Sequence, residues 1–374
     1  MKLTVTIGRY FTGLLFIFSG LIKGIDPRGL AYKMQEFFEA WANAGFMKSI
    51  MEPLNHYALG FSVLMITLEV LVGLGLILGW QRKLTTWLLL ALMLFFTFLT
   101  SYVLFSGKIK ACGCFGDCVP LTPNQTFTKD IILLVLALLL LVKCRYITAL
   151  AKPAVLNILM LIGVLATLGL QFYVMRHLPL KDCLPFKKGN NIIELRKMPA
   201  DAVADQYAIN FIYQKDGQQK EFAANALPDS SWEYVDRLQT LVQAGKNNVP
   251  LINDFSFTTA AGNDSTEAIL QQTGIYYFLI AKDLKALPTK FEEDLRLTRE
   301  AVRNNIPFYV VASNRAGAQL RYNGAANNAG PLPVFSADAT AIKTAARTDM
   351  VLYKMQGPVV LDKWSWADFD EVNF

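Results

Sequence analysis

The chain has 374 residues, 53% of them hydrophobic, and its 36 Lys and Arg against 30 Asp and Glu give a formal charge of +6. That length accommodates two domains. The positive surplus is spread thinly and no basic run is interleaved with aromatic residues, which excludes nucleic acid as a partner. Up to about residue 180 the chain is strongly apolar with charges in short islands; beyond it the mixture is rich in Asn, Asp, Gln and Lys. The sequence therefore predicts a membrane domain in contact with the lipid bilayer, followed by a globular one.

A helix that crosses a bilayer needs about 20 mostly apolar residues. Five segments qualify: Leu3–Lys23, Tyr57–Trp80, Leu84–Ser106, Ile131–Leu141 with its flanks, and Val155–Met175. The first runs on through GLLFIFSGLI without a small-residue cleavage site, so it reads as a spanning helix rather than a cleaved leader. In the loop that follows, Leu30, Met34, Phe37, Phe38, Trp41 and Phe46 recur at roughly helical spacing. They predict a short helix, lying either on the bilayer surface or on the rim of the bundle. The loops GWQRKLT and VKCRYITALAK are short, positive and free of acids, which assigns them to the cytoplasmic side. The loops carrying Asp26 and Cys112, and everything after the fifth helix, then face outward.

Glu69 lies within the second span. An ionisable group at such depth is costly and is a functional candidate by default. It is expected to relay protons, to contact a quinone head group, or to lock helices by pairing with Arg9 or Thr12. Gly13, Gly20, Gly24, Gly73 and Gly75 suit close contacts between helices. His56 and His177 stand apart and read as interface residues rather than metal ligands.

The stretch KIKACGCFGDC holds Cys112, Cys114 and Cys118. Gly113 and Gly116 permit positive φ, so the chain can double back there. Cys114 and Cys118 come within disulfide distance in a single turn, whereas Cys112 and Cys114 close only a small strained ring. Strained, exposed disulfides are the labile, oxidising ones. Lys108 and Lys110 favour the thiolate that exchange requires, and Asp117 opposes it. Cys183, in LPLKDCLPF, shares the outer face and can pair with Cys112 or Cys118. Cys144, in an inner loop, is expected to be free. Three readings stay open: a redox-active loop, a static disulfide stapling it, or a soft-metal site for Cu(I) or Zn(II) built from the loop thiolates and Cys183, although C-x-C-x3-C is not a usual zinc spacing.

In the second half, YAINFIYQKDGQQKEF predicts a hairpin turning at Asp216–Gly217. GIYYFLIA and IPFYVVAS predict central buried strands. Between them, TKFEEDLRLTREAVRNN predicts an amphipathic helix with Phe291, Leu295, Leu297 and Val302 on or near one face. DATAIKTAARTD reads as a short helix, and MVLYKMQGPVVLDKW as a hairpin around Gly357–Pro358. This order implies an α/β domain with a partly parallel sheet. It resembles the thioredoxin fold, with PVFSADATAIKTAARTDMVLYKMQGPVVLDKW like that fold's C-terminal half. The resemblance implies a C-x-x-C after the first central strand and a cis-proline before the hairpin. Here those places hold IAKDLKALPTK and Thr348–Asp349–Met350, so the expectation is a binding or docking module.

GRYFTGLLFIFSGLIKGIDPRG resembles the first helix of DoxX-like membrane proteins, and CGCFG after the third span resembles the related methylamine-utilisation protein MauE, over roughly residues 1–150. The resemblance implies a four-helix membrane bundle, distantly similar to quinone-linked disulfide-forming enzymes. It also implies a role in forming disulfides in, or maturing, exported partners. Carried onto this chain, it makes Cys112 and Cys114 the redox pair, and Arg9, Lys23 and Asp26 structural or gating elements. The departures are Cys118, the fifth helix and the appended domain. The expected organisation is a DoxX/MauE-like bundle at 1–152, a fifth helix and linker at 153–189, and a thioredoxin-like periplasmic domain at 190–374. The expected setting is the bacterial inner membrane. The expected function is thiol–disulfide exchange with exported partners and electron transfer to a carrier such as quinone; a non-catalytic scaffold is the alternative.

Overall fold

A computed structural model of the chain describes all residues except 110–112, 114–115, 244, 246, 289–290 and 325–330, and all side chains of the others but that of Leu241. The first half consists of α1 (Lys2–Gly24), α2 (Pro27–Asn43), α3 (Lys48–His56), α4 (Ala58–Leu78), α5 (Arg82–Ser106), α6 (Pro123–Val142) and α7 (Pro153–Arg176). Five of them, α1, α4, α5, α6 and α7, are long and apolar enough to cross a membrane. The fourth span begins eight residues before Ile131. Thr122 caps α6 by accepting from Gln125 N, the Gln125 side chain returns the bond, and Pro123 occupies the first helical position.

Antiparallel α1 and α4 meet through glycines. A Cβ on Gly13 would lie 2.9 Å from the Gly73 carbonyl oxygen, and one on Gly73 would lie 2.6 Å from that of Gly13. Close backbone contact of this kind is how membrane helices associate when lipid offers no hydrophobic gain. α2 starts where Asp26 accepts from Gly29 N at 3.0 Å. Its Met34, Phe37, Phe38 and Trp41 are buried with Met51, Ala58, Leu99 and Val103 of α3, α4 and α5. The rim-packed arrangement therefore holds for this face, while Phe46 lies beyond the helix and is 55% exposed. α7 rests on the outside of α4, where Gln171 Nε2 donates to Thr67 Oγ1 at 3.0 Å.

The second half contains α8 (Ile192–Arg196), β1 (Gln206–Lys215), β2 (Gln218–Ala223), β3 (Glu233–Gln243), α9 (Thr266–Leu270), β4 (Ile275–Ala281), α10 (Glu293–Arg303), β5 (Phe308–Ala312), α11 (Arg315–Asn323), β6 (Val334–Ser336), α12 (Ala339–Ala345), β7 (Met350–Gln356) and β8 (Val359–Ser365), then a 3-10 turn at Trp366–Glu371. The main sheet has the order β6-β5-β4-β7-β8. β4, β5 and β6 run parallel, and β7 and β8 return antiparallel. Its strands alternate between two cores. Phe278, Ile280 and Tyr353 pack with α9 and α12, and Leu279, Val310 and Leu352 pack with α10, α11 and Phe369. Leu295 and Leu297 are buried in the second core, but Val302 is 37% exposed and off that face.

Two features depart from the expected order. α11 and β6 intervene between the second central strand and the short helix, adding a third parallel strand at the sheet edge. The hairpin at Asp216–Gly217 forms, but β1 and β2 join β3 in a separate three-stranded sheet. That sheet is mostly exposed, with β1 half-buried only over part of its length. The segment after α7 belongs to the main domain: Phe186 and Ile192 lie in the first core. Gly189 N and Ile192 N donate to Val360 O and Pro358 O, both at 2.8 Å.

Candidate functional site

At the end of the bundle where α2 lies, Cys118 and Cys183 form a disulfide across 65 residues of sequence, with Cα atoms 5.0 Å apart. Cys118 closes a short 3-10 turn at Gly116–Cys118. Gly113 and Gly116 take φ of +70° and +57°, as doubling back requires. Of the two partners open to Cys183, the structure selects Cys118. Cys112, Cys114 and Lys110 lie outside the described residues. The soft-metal reading loses two of its four thiolates, because sulfurs joined to each other no longer bind a metal as thiolates. Among the described residues no group of three His, Cys, Asp or Glu could hold a metal.

Both bonded cysteines follow an aspartate, and the soluble domain holds each aspartate by a cation. Arg347 Nη2 contacts Asp117 Oδ2 at 2.9 Å, and its Nε contacts Asp26 Oδ2 at 2.8 Å. Lys363 pairs with Asp182. Close by, Arg28 pairs with Asp349 at 2.8 Å and Lys282 donates to the Tyr32 hydroxyl at 3.2 Å. Lys282, Lys343 and Arg347 lie 5.9, 5.3 and 5.5 Å from the centre of the Tyr32 ring, a cation–π cluster. Burial is the main cause that pushes the Lys282 ammonium down to about 7, with the Arg28 charge adding to it. Burial also lowers Lys363 and raises the Tyr32 phenol.

A solvent-facing cleft of about 410 Å³ opens between α2 and α12, lined by Tyr32, Lys33, Glu36, Cys183, Lys343 and Arg347 among others. Both cysteines are half-buried, and Cys183 presents the disulfide to this wall. Beneath it a void of about 30 Å³ touches Cys118, Cys183, Gly113 and Lys23.

Lys23 also faces inward. Its Nζ lies 2.9 and 2.7 Å from the two carboxylate oxygens of Glu69, and both residues are 3% exposed. Glu69 is thus paired with Lys23, not with Arg9 or Thr12. The register of α1 on α4 explains this: Gly13 lies against Gly73 and Gly20 against Val70, so Lys23 is level with Glu69. The same register puts Arg9 roughly four helical turns deeper. There it donates to Ile77 O at 2.7 Å and Thr148 O at 2.9 Å, joining α1 to the last turn of α4 and to the segment before α7 at the opposite end of the bundle.

A second ion pair, with a buried carboxylate and a half-exposed lysine, carries no signal in the sequence. Lys129 contacts Asp130 at 2.9 Å, and Thr100 Oγ1 donates to Asp130 Oδ2 at 3.1 Å. A void of about 10 Å³ is bordered by Lys23, Glu69, Lys129 and Asp130 together. The apolar run from Ile131 leaves Lys129 and Asp130 at its edge, whereas the Thr122–Gln125 capping box starts the helix early enough to put them one to two turns inside it. Arg347 and Lys363 carry no motif. His177 Nδ1 lies 2.5 Å from Asp368 and ties the end of α7 to the last turn. His56 packs edge-on against Tyr57.

Residues 1–143 match the family model described as methylamine utilisation protein MauE. Residues 207–244, which span β1 to β3, match a domain of unknown function. Protein TlpB of Flavobacterium psychrophilum is 36% identical over 98 residues, which cover 23% of this chain and 27% of that protein. This chain therefore spans about a quarter of the relative's length. No solved structure matches significantly. The first four spans are thus MauE-like, and the chain is a multi-pass membrane protein with a sheet-containing C-terminal region.

Proposed function

We propose that this MauE-like bundle works in the bacterial cytoplasmic membrane as a thiol–disulfide exchange protein for exported partners, with the cysteine loop and C-terminal domain on the outer face. The observation that carries this reading is the Cys118–Cys183 disulfide, whose Cys183 lines a solvent-facing cleft at the junction of both halves, among cationic side chains. A thiolate of a reduced partner attacks one sulfur, and the other cysteine leaves as a thiolate. The partner's second thiolate then resolves the mixed disulfide. The partner departs as a disulfide, and Cys118 and Cys183 hold its two electrons as thiols. Cys112 and Cys114, in the same loop, are the candidate pair that passes the electrons inward.

The acceptor class that fits is a lipid-soluble quinone. Phe11 and Leu15 of α1 and Asn124, Gln125, Thr128, Lys129, Ile132 and Leu133 of α6 line a lipid-facing groove of about 500 Å³, apolar along its length and polar at one end. Those residues would hold the ring and tail, and a bound quinone would supply a two-electron, two-proton sink. Lys129 borders both this groove and the internal void with Lys23 and Glu69, which supports a proton-handling role for Glu69. Arg9 and Asp26 serve as structural or gating elements at opposite ends of α1.

The C-terminal domain reads as thioredoxin-like without thiol chemistry. Its end of β4 and the loop before β7 carry Lys282 and Arg347–Asp349, which grip α2 rather than present cysteines. The test is in-cell oxidation of exported proteins with single serine substitutions at Cys112, Cys114, Cys118 and Cys183. Loss of oxidation at a normal membrane level is expected for Cys118→Ser and Cys183→Ser. Intact oxidation in all four variants overturns the reading.

A non-catalytic scaffold is the second reading, favoured by the exposed sheet of β1 to β3, whose Tyr213, Phe222, Trp232 and Tyr234 cluster on it. Its strands leave the domain through a neck where Gly245 N donates to Asp205 Oδ1 at 2.6 Å, so it can be excised. Excision of 206–244 abolishes function under the scaffold reading and leaves cysteine-dependent oxidation under the first.

A further inference from the structure

Disulfide exchange leaves negative charge on a sulfur, and an adjacent carboxylate opposes that. Here each bonded cysteine has one: Asp117 precedes Cys118 and Asp182 precedes Cys183. A loop selected only for exposure would be poorly served by that sequence. Both carboxylates, however, are held from the soluble domain. Arg347 reaches Asp117 at 2.9 Å and Lys363 pairs with Asp182, and these two cations are 8% and 7% exposed. Arg347 additionally shares the cleft wall with Cys183. Burial of the cations matters, because a fully exposed ion pair would alter a nearby thiol little; Asp182 is 19% exposed and Asp117, the wetter partner, 46%.

We propose that Arg347 and Lys363 are positioning residues for the Cys118–Cys183 disulfide, holding Asp117 and Asp182 and cancelling the negative charge that would otherwise oppose a thiolate at either sulfur. The inference rests on the exchange reading above and gives the cysteine-free domain its part in it. In the exchange step, the S–S bond breaks as the partner's sulfur bonds to one cysteine, and the electron pair goes to the other. That leaving thiolate forms within the field of Arg347 and Lys363. The two protons of the partner dithiol end on Cys118 and Cys183 when the partner disulfide closes, so electrons and protons balance.

Other charged groups face the disulfide. Lys23 and Asp26 approach from the end of α1, Lys33 from α2, and Lys181 from the segment after α7. Lys343 approaches from α12, and Glu36 and Glu39 stand across the cleft on α2. Asp26 is held by Arg347, and Lys33 and Glu36 neutralise each other at 2.9 Å. The uncompensated carboxylates exposed by loss of Arg347 are therefore Asp26 and Asp117, both at the site.

The experiment uses the full-length protein in nanodiscs, reduced and then alkylated with iodoacetamide across pH. Cys183 lies alone in the tryptic peptide between Lys181 and Lys187, so its rate is read separately by mass spectrometry. R347Q/K363Q should slow alkylation of Cys183 at neutral pH about tenfold and move its pH profile up by about one unit. D117N/D182N removes the same ion pairs but keeps the cations, and should move the profile down. A purely structural clamp would shift both variants alike. R347K/K363R, which keeps the charges, should hold the native profile. The proposal is overturned if the two double variants shift the same way, if neither shifts, or if the charge-conserving variant fails to restore the profile. Intact in-cell oxidation in all serine variants, together with opposite shifts here, would sink the exchange function alone; same-sign shifts with lost oxidation would sink this inference alone.

Discussion

Charge plays different parts in the bundle and at the junction. Inside the bundle, Lys23–Glu69 is a buried pair, and the buried Asp130 is held by the half-exposed Lys129 and by Thr100. Each group there has a dedicated partner, because lipid and packed helices offer no water to replace one that is lost. At the junction the pairs form a branched set around Arg347 and Asp349, with Asp117 46% exposed and solvent within reach. A branched, partly wet set can lose one member and re-pair. The difference teaches that the bundle uses charge to fix a single register, whereas the junction uses it to hold two bodies against each other around the Cys118–Cys183 disulfide.

The sharpest way to break this comparison is at Glu69. Glu69→Ala leaves Lys23 buried and unpaired, and should cost about 3–5 kcal/mol, read as loss of folded protein by thermal unfolding in detergent. Replacing both partners, K23M/E69L, should recover most of that stability; failure to recover would show that the pair does more than lock helices. The disulfide comes next. Opening a 65-residue loop by Cys183→Ser should remove about 4 kcal/mol under the chain-entropy estimate, measured as a lower unfolding midpoint of the soluble half. Arg347→Ala should cost less, about 1–2 kcal/mol, because Asp117 rehydrates. Faster limited proteolysis between α7 and α8 would report it, and a cost as large as that at Glu69 would erase the distinction drawn here.

The smallest effect is one of pH. Lys282 is held near 7, far below its unfolded value of about 10.4, so between those limits the unfolded chain binds a proton that the folded chain does not. Stability of the junction should therefore rise as pH climbs from about 7 toward 10. Lys282→Met should flatten that rise, which denaturant midpoints at a series of pH values would show.

The sequence was informative where one residue type had one physical meaning. Runs of about 20 apolar residues meant spans, and GIYYFLIA and IPFYVVAS meant buried strands. It was less informative wherever meaning depended on register or on a distant partner. Glu69 is conspicuous in its helix, but choosing Lys23 over Arg9 requires the level at which α1 crosses α4. Asp130 looked like a boundary because a charged pair beside an apolar run reads the same whether it lies at the end of a helix or two turns inside. β6 has three residues, and β3 lacks a buried face, so neither produces the alternation that marks a strand. Arg347 and Lys363 are ordinary surface residues by composition; only the docking of two domains brings them to the aspartates that precede the bonded cysteines.

α7 has a consequence of its own. It buries the smallest share of its apolar stretch among the five spans, 17% against 50% for α4, and it lies outside the stretch that matches the family model. The contacts among α1, α4, α5 and α6 do not pass through it. A segment attached this way can be grafted onto a finished bundle without redesigning its interior, and it brings the whole C-terminal domain with it. The two halves of the molecule are then joined at a helix whose outer surface answers mainly to lipid.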